Sequence, residues 1–304
     1  MQASLHALAA ELKRLKDSGV KALPVSTESL AKLRVALAGR SAGIAAKPVA
    51  AEPAVKAPSA YKAPERVFTV KPAVGPTATI PAPTPFTLVE GDKTARWTTL
   101  RERVLKDPVC SAQVRTGKQV VFGVGSLDAK IMFVGEAPGG EEETQGEPFV
   151  GPAGQLLNKM ITGMGLKRTD VYIGNIMNWR PEMPVDASGV QYGNRPPTPT
   201  ELAYCLPYLK AQIEVVNPDV LVALGSTAAQ GLLGVGTFKA LGEVRGRWKE
   251  FAGKPLMVTY HPSYILRNQS NQSKRLIWED LLKVMERVGL AISEKQRGFF
   301  LDRG

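Results

Sequence analysis

Cysteine and histidine are scarce in this chain, with two of each among 304 residues. Two thiols cannot build a disulfide scaffold, and their rarity fits a reducing compartment. They also leave no Cys/His cluster with zinc spacing. No apolar run approaches the ~18 residues of a membrane-spanning helix, so no membrane partner is expected. There is no G-x-x-x-x-G-K-[ST] loop for a nucleoside triphosphate and no G-x-S-x-G elbow for acyl hydrolysis. The N-terminal stretch MQASLHALAAELKRLK lacks a leading positive region, and Glu11 interrupts its apolar residues, which makes it a poor signal peptide. A cytoplasmic protein is expected.

Positive charge is plentiful. The formal net charge is +11 and the sequence pI is about 9.6. Residues 1–90 hold 12 Lys and Arg against 6 acids, and residues 91–304 hold 27 against 22. Such a balance fits a polyanionic partner, because cations that neutralise phosphates release counterions. It fits a solvated basic surface equally well.

Three regions follow from composition. Leu5, Leu8, Leu12 and Leu15 mark one short amphipathic helix and STESLAKLRVALAG a second, so residues 1–40 read as a helical segment able to dock a partner protein or the catalytic domain. Residues 41–87 are rich in Ala, Pro and Lys, cannot bury a core, and read as an extended linker. Residues 88–304 alternate short apolar runs with helical periodicity. Strands are expected at Val120–Phe122, Ile131–Val134, Val171–Ile173, Val220–Leu224 and Leu256–Thr259. Helices are expected at Ala153–Met164, Thr200–Val216, Thr227–Leu233 and Ser273–Val288, with Pro207 starting or kinking its helix.

Continuous apolar strands separated by helices indicate an α/β fold with a mostly parallel sheet covered on both faces. Ligands of such folds bind beyond the carboxyl ends of the strands. That rule brings GEAPGG, NIMNWRP, LGSTAA and YHPSYILR to one rim, and with them Glu136, Asn175, Gly225 and His261. A carboxylate, an amide, an imidazole and the nearby Phe149 suit a planar, hydrogen-bonding ring. Phe149 offers a stacking face and Asn175 a paired donor and acceptor. His261 can donate to an oxygen that becomes anionic, while Glu136 can hold a water or stabilise a cationic sugar. N-glycosidic cleavage of an extruded base needs these groups.

The segments GEAPGGEEETQGEPFVGPAGQLL, NIMNWRP, NRPP, ELAYCLPYL, PDVLVALGSTAAQGLLG, VRGRW and HPSYILR, in this order, resemble the family 4 type of uracil-DNA glycosylase across roughly Val109 to Val288. The resemblance implies a three-layer α/β/α fold, removal of uracil from DNA and no catalytic metal. It assigns Glu136 to the attacking water or the sugar cation, Phe149 to stacking on uracil, Asn175 to its edge and His261 to O2. Gly135, Ala137 and Gly225 join the substrate-binding set through the same motifs. Glu142 matches the residue that crowds the uracil C5 position against thymine. Tyr264, Ile265 and Leu266 lie where the family inserts a wedge into the duplex, and Arg267 is placed on a phosphate. Relatives that link themselves covalently to DNA need a histidine that is missing here, so turnover is expected. A shifted preference toward hypoxanthine or mispaired bases, or a DNA-binding homologue without activity, are the competing readings. The protein is expected to act as a monomer.

One part of the pattern breaks. The family commonly holds a [4Fe–4S] cluster on four cysteines, and this chain offers Cys110 and Cys205 alone. Cys205 matches the fourth ligand, whereas Trp179 stands at the third in NWRP. The expectation is no cluster and no metal, with Trp179 and apolar neighbours packing its place. The connection Glu182–Thr198 is also longer than the family's usual one.

Overall fold

The computed structural model describes residues 80–301 except 187, 188 and 190; the expected helical segment 1–40 and most of the expected linker lie outside the described residues. The packed chain begins earlier than the expected boundary at 88. Ile80 and Phe86 are partly buried against the core, and Phe86 sits 5.3 Å from the Tyr208 ring and under the Arg103 guanidinium.

Six strands form one sheet in the order β1-β3-β2-β4-β6-β5, where β1 is Val124–Gly125, β2 Ile131–Gly135, β3 Tyr172–Asn175, β4 Val220–Leu224, β5 Trp248–Phe251 and β6 Lys254–Thr259. The four central strands run parallel, and β1 and β5 pair antiparallel at the edges. Every residue of β2, β3 and β4 is buried, as a sheet covered on both faces requires. Side chains alternate between two cores. Ile131 and Phe133 join one, with Ile173, Val222 and Met257; Met132 and Val134 join the other, with Tyr172, Leu221 and Val258. The first core packs against α4 (Pro152–Gly163), α7 (Pro262–Arg267) and α8 (Asn271–Arg287). The second packs against α1 (Lys93–Leu105), α2 (Pro108–Ala112), α5 (Pro199–Val216) and α6 (Ser226–Leu233). The result is the three-layer α/β/α arrangement.

Val120–Phe122 departs from expectation. These residues are buried but form no strand. The Val121 amide donates to the Asn178 carbonyl at 2.8 Å, and Asn178 Nδ2 donates back to the Val121 carbonyl, so a loop rather than a ladder satisfies the backbone. Burial alone produced the apolar signal. The hairpin strand β5 was hidden for the opposite reason, because its central Lys249 and Glu250 face solvent. Helix α1 was hidden by its polarity, since only Leu100 and Val104 are buried in it. Pro207 lies inside an uninterrupted α5, whose start is set by Thr198 and Glu201 in a reciprocal capping box. No described helix is long and apolar enough to cross a membrane.

Candidate active site

Parallel register delivers the site. Gly135 and Asn175 are directly paired at the ends of β2 and β3, while Leu224 and Thr259 pair at the ends of β4 and β6. Beyond these ends the chain turns at Glu136, Gly225 and His261. Gly225 can make its turn because it adopts φ +93°. A Cβ on Gly225 would lie 2.9 Å from the His261 Cβ, so these two loops touch.

Phe149 completes the rim from a loop between α3 (Gly140–Gln145) and α4. It adopts φ +54°, uncommon for a bulky residue, and two side chains from elsewhere hold the turn. Arg168 Nη1 donates to the Phe149 carbonyl at 3.2 Å and Arg168 Nη2 to the Pro148 carbonyl at 2.6 Å. One Glu142 oxygen accepts from the Val150 and Gly151 amides at 3.1 and 3.0 Å, and the other from Gly139 at 3.1 Å. The turn directs the ring inward. Phe149 is 5% exposed, its ring tip reaches the Gly135 and Asn175 neighbourhood, and its centroid lies 5.6 Å from that of His261.

The polar groups have distinct states. Asn175 is 6% exposed, and its Oδ1 is buried without a hydrogen-bond partner, a costly condition that points to a missing donor. Burial raises the Glu136 carboxyl above its ordinary range, and a hydrogen-bonding Thr227 partly offsets the shift. His261 is pushed down to about 4 by burial, with a smaller contribution from the Arg267 charge. Its Nδ1 accepts from the Ser263 amide at 3.2 Å and lies 2.9 Å from the Ser263 hydroxyl. The neutral ring therefore carries its proton on Nε2, leaving a donor for a ligand.

The expected residues thus come together as a ring of neighbours: Asn175, Gly135, Phe149, His261, Gly225, then Thr227 and Glu136. Ala137 is a partly buried member of the adjacent core. The Glu142 carboxylate is not free at the rim, since both oxygens serve the backbone. Within α7, Ile265 is core at 4% exposure and Leu266 is exposed at 41%. Tyr264 stacks on Tyr260 at 4.3 Å and accepts from Asn268, while Arg267 is exposed. Arg168 and Thr227 escaped sequence reasoning. Arg168 stands in a polar turn without a motif, and Thr227 reads as an ordinary residue at the start of a helix.

A family model described as the uracil DNA glycosylase superfamily matches residues 122–282. The chain belongs to this superfamily. It is 44% identical over 183 residues to a type-4 uracil-DNA glycosylase of Thermotoga maritima, covering 60% of this chain and 89% of that protein. It is 42% identical over 158 residues to the type-4 uracil-DNA glycosylase of Archaeoglobus fulgidus, covering 50% and 74%. Against that of Saccharolobus solfataricus it is 38% identical over 176 residues, covering 56% and 76%. These matches place the chain with the family 4 type.

Cys110 and Cys205 are both fully buried, and the Cys110 thiol is pushed up, first by its hydrogen bond with Cys205 and then by burial. Trp179, also fully buried, packs 6.2 Å from Tyr204 and contributes an unpartnered N–H rather than a ligand atom. Nearby, the Asp107 carboxylate accepts from the Tyr204 and Tyr208 hydroxyls and from the Cys110 amide. Two thiols and a tryptophan do not fit a four-iron cluster, which needs four thiolates. Among the described residues no three His, Cys, Asp or Glu gather as a metal site.

Proposed function

We propose that this chain is a DNA repair hydrolase that removes uracil from DNA through the ring of residues built on Gly135, Asn175 and His261. The enzyme cleaves the N-glycosidic bond and leaves an abasic site. The observation that carries the site assignment is the buried, unpartnered Asn175 Oδ1 beside Phe149 and Gly135. A pyrimidine edge N–H supplies the donor that this oxygen lacks.

In this reading Leu266 fills the space left as deoxyuridine rotates out, and Arg267 meets a phosphate. Phe149 lies under the ring, and Asn175 reads its edge. Neutral His261 donates from Nε2 to uracil O2 as that oxygen gains charge. A donor of this kind contributes about 3 kcal/mol to the transition state. Glu136, ionised, favours the cationic sugar and aligns water on C1′. Glu142 acts as a positioning residue, and exclusion of a C5 methyl works through the loop it holds rather than through a free carboxylate. The enzyme carries no iron–sulfur cluster, and no step passes through one. It works as a cytoplasmic monomer, with the N-terminal segment left to engage a protein partner.

The test is single-turnover release of uracil from a labelled oligonucleotide by wild type, Asn175→Ala and His261→Ala. Release by wild type with losses of roughly a hundredfold or more in both variants supports the reading. No release by wild type overturns it. Iron at about four atoms per chain with absorbance near 400 nm would overturn the cluster-free proposal.

A further inference from the structure

Beside the Phe149 loop lies a concavity of about 540 Å³ walled by α1, the Arg115–Lys118 turn and the end of α3. Arg101, Arg115 and Lys118 line it, with Glu147 as its one acidic residue. Its charges are incompletely neutralised. Lys118 Nζ donates to the neutral Thr144 hydroxyl at 2.8 Å and meets no carboxylate among the described residues. Arg101 lies 5.9 Å from the Trp97 ring centroid. Arg115 pairs with Glu143, yet that same Glu143 oxygen also serves Arg180. Arg115 and Arg180 therefore share the single carboxylate of Glu143.

The segment is fixed in place and not a loose basic tail. The Gln119 amide donates to the Glu143 carbonyl at 2.7 Å and Gln119 Nε2 to the Thr144 carbonyl at 2.9 Å, which fastens the turn to α3. Helix α3 connects the Glu136 loop to the Phe149 turn. Glu147 on the cavity wall is two residues from Phe149, so their Cα atoms are at most about 7 Å apart. A DNA strand that delivers a nucleotide to Phe149 has its neighbouring phosphates within reach of this cavity.

We propose that the Arg101/Arg115/Lys118 cavity is a phosphate-binding site that seats a backbone phosphodiester of the substrate strand beside the extruded nucleotide. This rests on the uracil-removal reading for its ligand. The site anchors the strand and leaves bond cleavage to the ring of residues around Asn175. Arg115 also supports Glu143, so the exposed Arg101 and the half-buried Lys118 are the groups to alter.

The test measures binding of a labelled thymine oligonucleotide across a salt series for wild type, Arg101→Gln, Lys118→Gln and the double variant. Lys254→Gln, at the opposite end of β6, serves as the charge control. The slope of log affinity against log salt is expected to shrink by roughly 0.7 per lost contact on single-stranded DNA. The single-turnover rate on uracil DNA at saturating enzyme is expected to stay within about twofold. An unchanged slope in a double variant with wild-type thermal midpoint overturns the proposal, and so does an equal loss in Lys254→Gln. Inorganic phosphate that raises the wild-type midpoint, with no slope difference between variants, assigns the cavity to free phosphate and also overturns it. Wild type without uracil release defeats the function reading separately, because the slopes are measured on DNA that holds no uracil.

Discussion

Adding a single methyl group at Gly135 tests the site most directly. A Cβ there would lie 2.3 Å from Asn175 Oδ1 and 2.5 and 2.6 Å from two carbons of the Phe149 ring. Ordinary contacts between heavy atoms begin near ~3.5 Å, so each group must recoil by about 1 Å. Little else can move. Gly135 is locked in register with Asn175, and its carbonyl accepts from the Ile176 amide. The Phe149 backbone is held by Arg168 and Glu142. The strain therefore falls on the amide and the ring. Overpacking of this kind costs about 1–3 kcal/mol of stability, and a displacement of about 1 Å among positioning groups lowers the rate about a hundredfold. Thermal unfolding and single-turnover uracil release on Gly135→Ala read the two effects separately. Gly174→Ala is the control, since its Cβ would meet nothing closer than 3.6 Å. A Gly135→Ala enzyme within about threefold of wild type in rate, at wild-type stability, would refute the convergence of Asn175 and Phe149 on Gly135.

Three more outcomes follow from the same geometry. His261 is expected to titrate near 4 by NMR, so it is neutral and Nε2-protonated from pH 5 upward; a His261 titration near neutrality removes the neutral-donor mechanism. Thr227→Val is expected to move the acid limb of the pH–rate profile to higher pH. Thr227 favours the ionised form of a Glu136 whose carboxyl burial already raises, so its loss raises it further, and an unmoved limb excludes Glu136 as the ionising group. Glu142→Gln is expected to lower stability by about 1–3 kcal/mol, because its amide places a donor against backbone donors; an unchanged thermal midpoint means the clamp carries no load.

The central sheet was legible because burial on both faces forces continuous apolar strands, and strand order then forces the rim. Glu136, Asn175, Gly225 and His261 all sit where that rule puts them. Phe149 was legible as a neighbour of the rim but not in its burial, which depends on a positive-φ turn locked by a residue 19 positions away. Nothing local marks Arg168 for that task. The wedge assignment narrowed for a similar reason. Sequence allowed Tyr264, Ile265 or Leu266, and packing buries Ile265, stacks Tyr264 and leaves Leu266 exposed. Arg245 in VRGRW reads equally as a DNA-backbone contact or a solvated charge, yet it donates to Asp280 and to the Leu276 carbonyl and lies over Tyr260. A buried partner is invisible to a motif; here Asp280, 35 residues on, claims the charge.

The concentration of carboxylates in a basic chain resolves into separate tasks. Of the acids between Glu136 and Glu147, Glu136 alone faces the ring of neighbours, where burial makes its charge expensive and hence strongly coupled to a developing sugar cation. Glu142 spends its charge on three backbone amides and so fixes the Phe149 turn. Glu143 is 4% exposed and holds Arg115 and Arg180 together, tying the third-strand loop and the Arg115–Lys118 turn to the same helix. Glu141 and Glu147 are exposed. Two of the carboxylates are thus structural fasteners for the loops that carry the aromatic ring and the cations. Removing the Glu143 charge would leave two guanidinium groups without their carboxylate yet release the α3 attachment that aims them, so added positive charge at this position should weaken DNA engagement instead of strengthening it. A Glu143→Gln enzyme that binds DNA more tightly than wild type, with an unchanged uracil-release rate, would show that charge alone, without this attachment, governs the interface.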